Sequence, residues 1–504
     1  ATAQNPLTPS ERRGKQIYAR GASPSGKEIL AYLGEASLEV PASTMPCANC
    51  HGFDGQGKPE GGVTPSNLTW EALTKPYGVT HADGRQHPPY TERAFELAIT
   101  RGLDPAGNRL LNVMPRYVMS KEDLADLILY LKRLGKDRDP GISETAIVIG
   151  ATLPNGALAE MGQAVKAVTT AFFNELNNQG GIYNRRFELK IIETAETSTA
   201  KRASLERLLT DEPVFALIGA FIAGSEKELI PLIAQHETPL IGPITLYPQT
   251  EFPLNRQVFY VLSGVDGQAR ALIDFAARKP EFKTSGVAVI YPQSELNRNV
   301  VKAIEDQSNK SGLSEPKNYG YAAGSLNAGE TIKQLRQAGR EVIFFLGSSE
   351  ECLSFMREAD KQSWYPVILQ PGSGSAEISN APIGFNGKLF FSVPTAPPDQ
   401  SAKGLREFYA LAEKHKLPGR HLAAQFSAYS AAKILAEALR RVGRDVSREK
   451  LIQALEGFYR YPTELTPAIT YGPNRRIGAT GAYVVQIDLK EKRLVPASGW
   501  IEIN

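Results

Sequence analysis

Two thiols and an imidazole fall within one short stretch, Cys47-Ala48-Asn49-Cys50-His51. At that spacing both cysteines can form thioether bonds to a haem while the histidine ligates its iron. The chain has 3 cysteines and 6 histidines in 504 residues, so a chance occurrence of this order is rare. Zinc is the competing chemistry, but it needs two more ligands at short spacing, and His81 and His87 lie farther from Cys50 than a finger loop allows. A redox-active dithiol expects a strand before the first cysteine and a helix after the second. Here Glu39 to Pro46 carries two prolines and Gly52 to Gly62 is glycine-rich, so both flanks read as loop. The remaining cysteine, Cys352, sits in a helix-like stretch and reads as an inert buried thiol.

A haem iron held this way commonly takes a second axial ligand, and thioether sulfur suits electron transfer because it favours the reduced iron. Met114, in Val113-Met114-Pro115-Arg116-Tyr117, is the candidate; Met119 is the alternative, and Met45 is too close to Cys47 to reach the far face. Ser120-Lys121-Glu122-Asp123 then reads as a capped helix start with a reciprocal acid. Leu124, Leu127, Ile128, Leu131 and Leu134 give that helix one apolar face. The loop through Gly61, Gly62 and Asn67 could pass under the haem edge, Arg93 or Arg101 could meet a propionate, and Trp70 and Phe95 read as core.

The order of haem motif, Met-Pro and closing amphipathic helix resembles the class I cytochrome c family, over about residues 8 to 136. That resemblance implies a small all-α domain carrying one covalent haem c. Cys47 and Cys50 match its thioether positions, His51 its proximal ligand, Met114 its distal ligand, and Tyr130 an aromatic near the haem edge.

At 504 residues the chain is too long for a single core. Its 42% hydrophobic and 22% charged residues are ordinary globular values, and a net charge of +3 with mixed signs argues against a nucleic-acid stripe or a polybasic membrane arm. No apolar run approaches the roughly 18 residues of a membrane-spanning helix. The opening Ala1-Thr2-Ala3-Gln4 lacks an initiating Met, as expected if a secretory signal has been removed, and covalent haem attachment points to the periplasm. A charged Pro/Gly connector, Gly135 to Gly141, ends the first pattern. The expected division is a domain over 1–136, a linker over 137–142 and a second domain over 143–504.

Beyond the connector, short apolar strands alternate with helices. The first set runs strand 145–151, a helix carrying Leu158 to Leu176, strand 187–192, helix 199–209, strand 214–219, helix 224–235 and strand 239–242. A second set follows Val258 to Leu262, with strands at 286–291, 318–322, 341–346 and 367–370 between helices. This is the rhythm of doubly wound parallel sheets, and two sets imply two lobes with a hinge. The expected partition is a first lobe over about 143–260 and 391–460, and a second over 261–390 and 461–504.

This segment resembles the type I periplasmic ligand-binding proteins, specifically the leucine/isoleucine/valine-binding family of ABC importers. The carrying residues are Gly150 to Ala157, Asn174-Glu175, Gly180-Gly181-Ile182, Ala216 to Ala220, Pro239 to Pro243 and Val287 to Tyr291. The resemblance implies two lobes that close over a small molecule without chemistry. Ligands of such sheets sit at the carboxyl ends of the strands, where helix N-termini offer amide donors. The expected ligand-binding residues are Asn155, Ala223, Gly224, Ser225, Thr245 and Tyr247 in the first lobe, and Tyr291 and Gln370 in the second. Gln370-Pro371-Gly372-Ser373-Gly374 holds no acid for an amino acid's ammonium, and Ile222 stands where a small polar residue is usual. Burying that ammonium unpaired is costly, so an organic acid, aldehyde, alcohol or aromatic compound is expected instead, with Glu350 reading as a solvated helix acid.

Two functions remain. The chain is a periplasmic small-molecule binding protein whose haem couples or co-localises ligand capture with one-electron transfer, with a redox partner protein and an ABC importer as candidate partners. Alternatively it is an electron-transfer cytochrome serving a periplasmic dehydrogenase, with the large domain capturing substrate or docking that enzyme. Filled axial positions and the lack of a catalytic triad or paired-carboxylate signature speak against an enzyme.

Overall fold

Two helices that cross at a glycine close the first part of the chain. Helix Pro9–Arg20 starts in a capping box, Thr8 and Glu11 each bonding the other's backbone N–H. Helix Lys121–Leu131 starts at Ser120, whose hydroxyl accepts from the Asp123 N–H. The reciprocal acid takes a different partner from the one the sequence pattern predicts, because the Asp123 carboxylate accepts from the Ser120 and Ser23 hydroxyls. Where the helices cross, a Cβ on Gly14 would lie 2.0 Å from the Asp126 carbonyl oxygen, so only glycine permits the approach. Arg13 then reaches the Asp126 carboxylate, Nε to oxygen 2.6 Å.

We describe residues 7–57, 62–81, 84–136, 138–212, 214–249, 251–283, 286–372, 376–395 and 402–503 of a computed structural model. The chain divides into two compact units at Arg138 and Asp139. The first buries Ile17, Tyr18, Phe95, Ile99, Leu127, Tyr130 and Leu131 in one core. It is mainly helical but adds a three-stranded antiparallel sheet, ordered Leu38–Pro41, Leu30–Leu33, Arg116–Val118. Strands this short carry no readable periodicity, and the sequence pattern does not predict them.

The second unit holds two sheets. The six-stranded one is parallel, in the order Ile477–Ala479, Val258–Leu262, Leu240–Ile241, Ala216–Ile218, Ala146–Pro154, Arg186–Thr194. The eight-stranded one runs Lys317–Tyr321, Val287–Pro292, Val342–Phe345, Val367–Pro371, Leu389–Val393 in parallel, then Gly481–Asp488 and Arg493–Pro496 antiparallel, with Ile501–Glu502 also on Gly481–Asp488. Helices Ala159–Asn178, Leu422–Val442 and Arg448–Glu456 cover the first sheet, and Val265–Ala277, Glu295–Lys310 and Ser349–Lys361 the second.

The expected lobe boundaries need two corrections. Leu389–Val393 does not return to the first lobe, because it pairs with Val367–Pro371 and Gly481–Asp488. Residues 461–479 belong to the first lobe, where Tyr461, Ile469, Tyr471 and Ala479 join the core and Ile477–Ala479 pairs with Val258–Leu262. A strand buried on both faces reads as a plain apolar run, and nothing in such a run says which sheet receives it.

Arg448 ties the first lobe together. Its guanidinium donates to the carbonyls of Phe215, His236 and Val214 at 2.9, 2.9 and 2.7 Å. No helix among the described residues is long and apolar enough to cross a membrane.

Candidate functional site

Cys47, Cys50 and His51 all lie on one short helix, Cys47–His51, capped by Pro46 and ended at Gly52. His51 is buried, and its Nδ1 sits 2.8 Å from the Ser66 carbonyl oxygen. A carbonyl only accepts, so Nδ1 carries the proton and Nε2 presents its lone pair. Burial also lowers the His51 pKa, which keeps the imidazole neutral and able to ligate. Two thiols and a neutral imidazole on one helical turn fit a covalent haem: Cys47 and Cys50 would hold it through thioethers and the His51 Nε2 would be its ligand, with the ring fixed by the Ser66 carbonyl.

Met114 is half-buried in the loop that leads into strand Arg116–Val118. Its carbonyl accepts from the Arg116 guanidinium, which also donates to the Leu110 carbonyl at 3.0 Å. Met119 packs instead against the core of the unit, with Leu110 and Leu124. Tyr117 donates to the Met45 carbonyl at 2.6 Å, joining the strand after Met114 to the segment before Cys47. Tyr130 is buried, its ring 5.8 Å from that of Tyr18. Trp70 and Phe95 pack on the core, and Arg93 pairs with Glu96. Gly61 lies outside the described residues. His81 and His87 face each other across a hairpin, Nε2 to Nε2 3.0 Å.

In the second unit the expected ligand residues lie at the carboxyl ends of the strands. Asn155 follows Ala146–Pro154, its N–H bonded to the Thr194 carbonyl. Ala223 and Gly224 form the turn before helix Glu226–Gln235. Ser225 is buried, but its hydroxyl lies 2.9 Å from that of Ser198 and makes no cap bond. Thr245 donates to the Glu226 carboxylate and accepts from the Tyr247 N–H at 2.9 Å. Tyr247 lies in the crossing between lobes, where the Leu246 carbonyl accepts from Val265, and its ring packs on the second-lobe core. Tyr291, in strand Val287–Pro292, packs half-buried on that same core. Gln370 is buried, with Nε2 donating to the Gly347 carbonyl at 3.2 Å and Oε1 without a partner among the described residues. Ser373 and Gly374 lie outside the described residues, and Glu350 is exposed.

The lobes meet at Lys227 and Glu295, which pair at 2.9 Å from the first turns of helices Glu226–Gln235 and Glu295–Lys310. That contact places the Ala223 to Glu226 turn of the first lobe opposite the segment following Tyr291 in the second. A depression of about 330 Å³ lined by Phe172, Glu175, Leu411 and Lys414 is on the helical flank of the first lobe, away from these loops.

Two residues escape the sequence reading. Lys201 is buried, donates to the Ala223 carbonyl at 2.5 Å and lies 4.5 Å from the centre of the Phe221 ring. Glu226 accepts a hydrogen bond from the Thr245 hydroxyl. The acid was visible as the first residue after the Gly-Ser turn, where it reads as an ordinary partner of the helix dipole.

Residues 146–493 match the periplasmic binding protein family, and residues 42–135 match cytochrome c. A Leu/Ile/Val-binding protein homolog 3 from Brucella melitensis is 22% identical over 61% of this chain and 83% of its own length. A leucine-, isoleucine-, valine-, threonine-, and alanine-binding protein of Pseudomonas aeruginosa is 20% identical over 60% of this chain and 79% of its own. A branched chain amino acid ABC transporter structure from Thermus thermophilus with bound valine superposes with a TM-score of 0.59 at 18% identity, covering 72% of this chain and 98% of that one. A fatty acid ABC transporter substrate-binding protein from Thermomonospora curvata gives 0.57 at 17% identity, over 73% and 95%. These likenesses fix the fold and span relatives named for different ligands. The chain belongs to the periplasmic binding protein family, and it carries a cytochrome c domain ahead of the binding fold.

Proposed function

We propose that this protein is a periplasmic small-molecule binding protein that holds ligand capture and one-electron transfer on a single chain. The observation that carries the redox half is the oriented His51 imidazole on the same helical turn as Cys47 and Cys50. In this reading the unit carries one haem c, attached through Cys47 and Cys50, with His51 and Met114 as axial ligands. When bound, the haem supplies a one-electron couple; the protein orients the imidazole through Ser66 and holds the distal loop through Arg116.

The second unit closes on a small molecule at the facing edges of its sheets, with Asn155, Ala223, Gly224, Ser225, Thr245 and Tyr247 on one side and Tyr291 and Gln370 on the other. The ligand is not an ordinary amino acid, since Gln370 is neutral and Glu350 is exposed to solvent. Membership of the two families supports delivery to an ABC importer and electron exchange with a periplasmic redox protein as the roles of the two units. Mass spectrometry of molecules co-purified with the intact chain tests the reading. A single small organic compound released on denaturation, and lost in Tyr291→Ala, is the expected result.

A further inference from the structure

We propose that His81 and His87 bind one Cu(II) ion through their Nε2 atoms, at a hairpin of the cytochrome c unit that the residues assigned to haem and cleft do not include. The backbone brings the two rings together. Strands Val79–Thr80 and Gln86–His87 pair antiparallel with Val79 opposite His87, and the His81 N–H donates to the Arg85 carbonyl at 2.9 Å. His81 is thus the diagonal neighbour of His87 on one face of the hairpin. Gly78 permits the close approach, since its φ is +69° and a Cβ there would lie 2.2 Å from the His87 carbonyl oxygen. The second strand is anchored in turn. Asn108 donates to the Gln86 carbonyl at 3.0 Å, and Arg85 pairs with Asp104 at 2.9 Å.

His87 has the arrangement of a metal-bound histidine. It is buried, and its Nδ1 lies 2.8 Å from the Pro88 carbonyl oxygen, so Nδ1 carries the proton and Nε2 turns its lone pair toward His81. The Tyr90 ring meets it edge-on at 4.9 Å and limits its rotation. Across a gap of 3.0 Å, the His81 Nε2 then donates the one hydrogen that the pair shares. A metal ion replaces that hydrogen when His81 carries its proton on Nδ1, so binding to the neutral pair releases no proton. Bonds of about 2.0–2.1 Å from each nitrogen meet at roughly a right angle across this gap, the tetragonal arrangement that suits Cu(II). Copper also heads the divalent series in affinity for nitrogen ligands. No third His, Cys, Asp or Glu joins the pair among the described residues, so water completes the coordination. Arg85 is the only Lys or Arg among the described hairpin residues, and Asp104 offsets its charge. The Asp104 carboxylate also accepts from Asn108 and stays in its own turn, and Asp83 lies outside the described residues.

Electron paramagnetic resonance of the intact haem-loaded chain tests this, with the haem oxidised so that it cannot reduce the copper and with one equivalent of CuCl2 added. Hyperfine splitting from two imidazole nitrogens is expected. In equilibrium dialysis, His81→Gln and His87→Gln should each weaken Cu(II) binding at least tenfold, while His421→Gln in the second unit leaves it unchanged. The intact chain should bind Cu(II) more tightly than Ni(II) or Zn(II). The haem spectrum and the melting temperature establish that each variant folds, and if buried His87 does not tolerate Gln, His81→Gln at its half-buried position decides alone. Copper affinity unchanged in either folded hairpin variant overturns the paired site, as does a signal without two nitrogens. Tighter binding of Zn(II) or Ni(II) than of Cu(II) overturns the choice of metal.

Discussion

Arg116 holds the backbone of Met114: its Nη1 donates to the Met114 carbonyl, and its Nη2 reaches the Leu110 and Leu111 carbonyls at 3.0 and 3.4 Å. One guanidinium thus clamps the loop that carries Met114, the distal ligand proposed for iron. Space for it depends on Gly102, where a Cβ would lie 1.9 Å from Arg116 Nε. Arg116→Lys keeps the charge but loses the fork that reaches several carbonyls at once. It should weaken the sulfur-to-iron charge-transfer band and lower the haem potential, with haem attachment unchanged. Gly102→Ala should act in the same direction by displacing the guanidinium. Retention of the full band in both variants would contradict a positioning role.

Met114→Ala should abolish that band and lower the potential while the thioether bonds keep the haem. Met119→Ala should instead cost stability, since Met119 packs on the core. The optical spectra of the two variants decide the assignment, and it fails if the band disappears only in Met119→Ala.

Arg448→Leu should destabilise the binding unit by about 2–4 kcal/mol, because three carbonyls lose their donor. Urea unfolding followed by tryptophan fluorescence measures it. A loss within about 0.5 kcal/mol, the range of ordinary surface changes, would mean that water replaces the guanidinium.

Redox state and ligand affinity are linked only if one changes the other, and the linkage is reciprocal. A tenfold affinity difference between oxidised and reduced protein corresponds to about 59 mV for one electron. Co-localisation without coupling predicts a shift far smaller than that when ligand saturates the cleft. Potentiometric titration with and without ligand reads the difference directly.

The haem motif is legible because its chemistry is local: thiols and imidazole act from one turn of chain. The alternation of strands and helices is legible for a similar reason, since each element carries its own periodicity. The fate of Leu389–Val393 is not, because both faces of that strand are buried and its partners come from distant segments. Thr245 illustrates the same limit in the cleft. A hydroxyl just past a strand reads as a ligand donor until a carboxylate from a neighbouring helix accepts its hydrogen bond, and Glu226 does so.

Native mass spectrometry of the intact chain, purified from the periplasm, tests the central claim most directly. The account predicts one ion that carries both one haem and one small organic molecule. After denaturation the haem should remain on the chain and the small molecule should leave. A haem that dissociates on denaturation, or a chain that never carries a small molecule in the cleft, would contradict it.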